Sequence, residues 1–228
     1  MKTSGLHYTS QLERTILMLR DDVVRMSDLT DTAIARSVTA LVNLDVVAAS
    51  EIIRDDRHIN QLRYHIEQKA YQTVATQQPT ARDMRALIAT IHITVELERI
   101  ADYAAGIAKI IRQMAQSYVF QPPRELMSMQ HITQEMLRGS QDAFINWDEK
   151  GAREIFLRDD EVDLLQAQIN EKLIALMKAD QRNIDCSTYL LWVSHNLERM
   201  ADRVTNICER TMYMVTGELP PDREQNIG

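Results

Sequence analysis

Apolar residues recur at helical spacing along almost the whole of this chain. The clearest seam is Leu190, Val193, Leu197, Met200, Val204 and Ile207, alternately three and four apart, as packed bundles require. A counterpart runs through Ile93, Leu97, Ile100, Ala104 and Ile107. The prolines fall between such stretches, at Pro79, Pro122–Pro123 and Pro220–Pro221, where a fixed φ and a missing N–H end helices. The pattern predicts six helices, over about 9–44, 48–77, 81–116, 124–147, 150–178 and 184–216. Thr80 with Asp83 reads as a capping box opening the third, with Asp where Glu is usual. The polar, proline-bearing tail 217–228 is expected to be loose.

The polar positions carry a second regularity. Leu97-Glu98-Arg99-Ile100-Ala101-Asp102 returns as Leu197-Glu198-Arg199-Met200-Ala201-Asp202. Ala40, Asn43, Asp45, Ala49, Glu51, Ile52 and Asp56 return as Ala143, Asn146, Asp148, Ala152, Glu154, Ile155 and Asp159, at a constant offset of 103. By Glu98 the offset is 100, so three residues are missing from the intervening turn. A period near 100 exceeds that of solenoid repeats and implies two fused copies of one small domain. The expected fold is all-α: two tandem antiparallel three-helix bundles, over 9–118 and 124–216, joined end to end.

Composition agrees with a helical chain: 26% charged, 5% aromatic, and 12 methionines placed among the apolar positions as core filler. Trp147 and Trp192 are likewise expected to pack. No run of 18 apolar residues exists and Met1–Tyr8 has no signal-peptide core, so a cytosolic protein is expected. Cys186 and Cys208 fall on one predicted helix, roughly 33 Å apart along its axis, too far to bridge. Residues 1–118 hold 14 basic and 14 acidic side chains, and 119–228 hold 12 and 19, so the net charge of −7 belongs to the second copy. No basic stripe appears, and nucleic acid is not an expected partner.

The candidate chemistry lies in the acids. Glu98 with Asp102, and Glu198 with Asp202, stand four apart on one helix face, where like charges repel by roughly 0.2–0.5 kcal/mol. Kept in both copies, such a pair points to a cation. A hairpin turning at Pro79 sets Asp56 level with Asp102 and Asn60 level with Glu98. One turning at Asp180–Gln181 sets Asp159 level with Asp202 and Asp163 level with Glu198, on axes about 8–10 Å apart. Oxygen donors favour Mg²⁺, Mn²⁺, Ca²⁺ or iron over zinc or copper. Glu198 and Asp202 lie roughly 130–170° from the seam, so a site is expected on the bundle surface. A solvated acidic face is the simpler alternative. No histidine stands three after a glutamate, so the Glu-x-x-His motif of di-iron bundles is absent. His195, one turn before Glu198, is expected to be structural. No phosphate loop, nucleophile elbow or Cys/His pairing appears, and no enzyme is expected.

Two bundles carrying D-x-x-x-D and E-x-x-x-D-x-x-x-N/D in register resemble the PhoU family over about residues 9–216. Asp159, Asp163, Glu198, Asp202 and Asn206 match that pattern fully. In the first copy Asp56, Glu98 and Asp102 match, while Asn60 stands where Asp is expected and Gly106 where Asn or Asp is expected. The resemblance implies a cytoplasmic homodimer, peripheral to the inner membrane through its partners, with divalent or trivalent metal ions on its surface acids. It implies negative regulation of phosphate uptake and phosphate-starvation signalling, through the phosphate ABC transporter and a sensor histidine kinase. Two rivals are a metal-dependent, carboxylate-bridged helical-bundle enzyme and a purely structural adaptor. By ligand count, the second copy is expected to bind a cation more tightly than the first.

Overall fold

The computed structural model describes residues 10–115 and 120–218, so the tail from residue 219, residue 9 and residues 116–118 lie outside the described residues. Seven α-helices follow one another: α1 (Gln11–Asn43), α2 (Val46–Gln77), α3 (Ala81–Met114), α4 (Arg124–Asn146), α5 (Glu149–Phe156), α6 (Asp159–Ala179) and α7 (Ile184–Thr216). A 3₁₀ turn, Gln181–Asn183, lies between the last two, and no strand occurs among the described residues.

Local chemistry explains several helix ends. Ser10 and Glu13 form a reciprocal capping box at the start of α1: the Glu13 N–H donates to Ser10 Oγ, and the Ser10 N–H to Glu13 Oε2. The box expected at Thr80 does not form. Its hydroxyl instead donates to Asp83 Oδ2 at 2.7 Å and accepts no backbone N–H. The duplication is visible in the turns. Leu44 (φ 50°) and Trp147 (φ 54°) both take the left-handed conformation that non-glycine residues avoid. Each precedes an aspartate N-cap: Asp45 accepts from Val47 and Ala48, and Asp148 from Lys150.

The single helix predicted over 150–178 is two. The Arg158 N–H turns back three residues to Ile155 O (3.0 Å), and the guanidinium is fastened to Glu135 on α4 (2.9 Å) and to Glu161 (3.0 Å). Asp159, Asp160 and Glu161 then favour a fresh N-terminus, where the helix dipole attracts anions. The break makes Asp159 the first residue of α6.

The repeats, α1–α3 and α4–α7, are not joined end to end. They pack side by side, α3 against α7 and α1 against α4, around one continuous apolar core. Small residues beside each seam allow this close approach: Ala101, Ala105 and Ala108 on α3, with Ala201, Thr205 and Cys208 at the same places on α7, are all buried. Polar contacts stitch the seam, with Gln134 and Arg138 both donating to Asp31. Trp147 packs as expected and carries the Arg82 guanidinium over its ring at 4.6 Å. Trp192 does not: it is half exposed and meets Tyr189 edge-on at 5.6 Å.

Candidate functional site

Each repeat sets an acid-bearing helix pair face to face, α2 with α3 and α6 with α7. On the first face, Asp56 Oδ2 accepts from Asn60 Nδ2 at 3.0 Å, whereas Oδ1 is buried and has no hydrogen-bond partner among the described residues. Burial, then the charges of Asp102 and Glu98, push the Asp56 carboxyl above its usual range. Burial also raises Glu98; Arg63 opposes this and Asp102 adds to it. The charge of Asp102 thus acts on both Asp56 and Glu98. Arg63 is shared, reaching Glu98 Oε1 at 3.1 Å and Glu67 Oε1 at 3.2 Å. Arg99, next to Glu98 in the repeated block, turns away to Glu96 Oε1 at 3.7 Å. Asp102 is exposed and carries no ion pair among the described residues.

The second face is arranged otherwise. The acids expected on the surface are partly inside: Asp159 is 1% exposed and Glu198 8%. Helical phase located one apolar seam, but α7 is flanked by α3, α4, α5 and α6, so its far side is covered as well. Arg199 folds over the pair, its Nε and Nη2 donating to both oxygens of Glu198 (2.8 and 2.7 Å) and Nη1 reaching Asp202 Oδ2 at 2.8 Å. Glu198 and Asp202 in turn hold the guanidinium proton more firmly than usual. His195 Nδ1 lies 3.4 Å from Glu198 Oε2. Asn206 does not join these acids; its Nδ2 donates to Glu96 of the first repeat at 3.3 Å, beside Arg203 at 3.5 Å. Asp163 is exposed on α6, one turn beyond Asp159.

As the side chains stand, no group of three or more Asp, Glu, His or Cys residues among those described is placed to hold a metal ion. The donor sets nonetheless differ in what they lack. Asp56 has a buried oxygen without a donor beside two further carboxylates, which fits a hard cation. On the second face one guanidinium spans Glu198 and Asp202 and offsets one of their two charges, while Asp159 Oδ1 is buried there as Asp56 Oδ1 is on the first. Sequence reading missed Arg63 and Arg199, because pairing acids by height says nothing about which arginine reaches them. A cavity of about 290 Å³ also borders Asp56, lined by Arg25, Thr32, Arg36 and Asp55 with an apolar floor from Leu29 and Ile59.

The duplicated turns and the paired acid-bearing helices recur once per half, and a family model describes that half. The PhoU domain matches residues 23–111 and again 126–211. The chain belongs to the PhoU family. Among its relatives, the phosphate-specific transport system accessory protein PhoU homolog of Clostridium acetobutylicum is 33% identical, over 88% of this chain and 92% of that one. The homolog from Rhizobium meliloti is also 33% identical, over 95% and 92%. The crystal structure of the phosphate transport system regulatory protein PhoU from Streptococcus pneumoniae superposes with a TM-score of 0.86 at 30% identity, covering 93% of this chain and all of that one. PhoU from Pseudomonas aeruginosa gives 0.86 at 27%, covering 91% and all of that chain. The two solved PhoU structures thus share the two-repeat architecture.

Proposed function

We propose that this PhoU-family chain is a regulatory accessory protein of phosphate-specific transport, repressing phosphate uptake and phosphate-starvation genes when phosphate is abundant. It acts through protein contacts with the phosphate ABC transporter and its sensor histidine kinase, as a homodimer in the cytoplasm, peripheral to the inner membrane through those partners. The observation that carries this reading is the family match over both repeats, together with relatives named as accessory proteins of phosphate-specific transport. No helix of the described residues is long and apolar enough to cross a membrane.

The first acidic face is the proposed metal centre. Asp56, Glu98 and Asp102 would hold the ion, with Asn60 fixing the second oxygen of Asp56. Magnesium, manganese, calcium or iron suits such oxygens, and the bound ion supplies positive charge to an otherwise acidic face. The guanidinium that lies across Glu198 and Asp202, with none across Asp56 and Asp102 among the described residues, supports this choice over the second face, which ligand count alone favours. Deletion of the gene is expected to leave phosphate-starvation genes expressed in high phosphate, measured with a reporter. Complementation with the wild type restores repression, and Asp56→Asn with Asp102→Asn tests the metal face. Normal repression in the deletion strain, with no paralogue present, overturns the regulatory reading.

A further inference from the structure

The two acidic faces share the block Leu-Glu-Arg-x-Ala-Asp, yet the arginine in it does opposite things. Resting on the proposal that the first face takes a metal ion, we infer that the second face is closed to metal by the chain itself, with Arg199 as its resident cation. The guanidinium makes three contacts of 2.7–2.8 Å: two parallel ones to Glu198 and one to Asp202. That bidentate geometry is the strongest way a side chain holds a carboxylate. The cation is tethered within the same helix turn, whereas a metal ion must come from solution. To enter, the ion must break all three contacts and leave a displaced positive charge beside it. The affected acids are largely buried, where like charges repel more strongly than in water.

Two sequence differences between the repeats account for the switch. In the first, Arg63 on α2 supplies Glu98 with its cation, and Glu96, three residues before Arg99, gives that arginine another partner. The position matching Arg63 is Gln166, which carries no charge, and the position matching Glu96 is Asn196, which offers no anion. Glu198 therefore lacks the arginine that the partner helix gives Glu98, and Arg199 has no carboxylate three residues back. The remaining pairing is Arg199 with its own Glu198 and Asp202. The place of Asn206 agrees: the side chain counted as a fifth ligand is drawn to Glu96 in the other repeat.

Manganese titration of the full chain, read by the electron paramagnetic resonance signal of free Mn²⁺, tests this. In the wild type, Asp202→Asn is expected to leave binding unchanged within about twofold. Arg199→Gln is expected to gain one bound Mn²⁺, and adding Asp202→Asn is expected to abolish that gain. A wild type that binds no Mn²⁺ while Arg199→Gln binds one supports the closure and overturns the first-face metal reading, so the two fail separately. Weakening of wild-type binding by about tenfold or more in Asp202→Asn overturns the closure. So does an Arg199→Gln protein with intact helical circular dichroism and no added ion. Should that variant not fold, Arg199→Met takes its place, keeping a long side chain without the charge: a gained Mn²⁺ supports the closure and no gain overturns it.

Discussion

In the first repeat Arg99 leans out to Glu96 and is 52% exposed, while in the second the identical residue lies across Glu198 and Asp202 at 37%. The apolar sides of the same helices show no such divergence. Leu97 and Leu197, Ile100 and Met200, Ala104 and Val204 are buried alike. Duplication has preserved burial at these positions and altered the partners that the charged side chains find. A core position is constrained by many neighbours at once, so a change there leaves a cavity or a clash. A long charged side chain needs only one partner within reach, and changing that partner redirects it. Gln166 and Asn196 are enough to send one arginine inward while its twin points out.

The largest effects should fall where the repeats agree. Leu97→Ala and Leu197→Ala should each cost about 3 kcal/mol of unfolding free energy, from lost burial plus the cavity left behind. At about 2–4 °C per kcal/mol for a chain of this size, each lowers Tm by about 6–12 °C. A large difference between the two by thermal denaturation would break the view that the core is duplicated in energy as well as in shape.

The next effect should separate the repeats. Removing Arg199 strands Glu198 in a largely buried setting, and Arg199→Ala is expected to destabilise by about 2 kcal/mol, below the range for fully buried pairs because the guanidinium is partly exposed. Arg99→Ala removes one long, exposed contact and should cost under about 0.5 kcal/mol. Equal losses in paired urea titrations would contradict the asymmetry.

A smaller effect of opposite sign is expected at Asp56. Its folded-state pKa is raised, so at neutral pH the ionised form is less favourable in the folded chain than in the unfolded one. As pH falls through the raised value the folded protein takes up the proton and that penalty disappears. In chelator, Asp56→Asn should therefore raise Tm by about 2 °C at neutral pH, and the gain should shrink as pH falls toward about 4. A gain that grows in acid would show that the Asp56 charge is compensated after all.

The smallest response concerns the thiols, both in the second repeat. Cys186 and Cys208 are buried, and burial raises both, Cys208 to about 12. Neither should react with a thiol reagent over minutes in native buffer, and both should react once the chain is unfolded. Prompt labelling of the native protein would mean that α7 opens far more readily than its packing implies.

The sequence by itself determined the helical class, the duplication and the places of the chain reversals. Those follow from local rules: apolar period, proline position, and an aspartate cap repeated at 45 and 148. It also set Asp56 level with Asp102 and Asn60 level with Glu98, because antiparallel helices of fixed rise leave little freedom in height, and the charge of Asp102 acts on Asp56. Three things waited for the tertiary structure. The side-by-side packing of the repeats depends on α3 and α7 burying a second face, which a single-helix moment does not report. The break before Asp159 depends on Arg158 finding Glu135 on another helix. The state of the acids depends on which arginine reaches them. An ion pair is set by distance across helices, and linear spacing on one helix does not contain that distance.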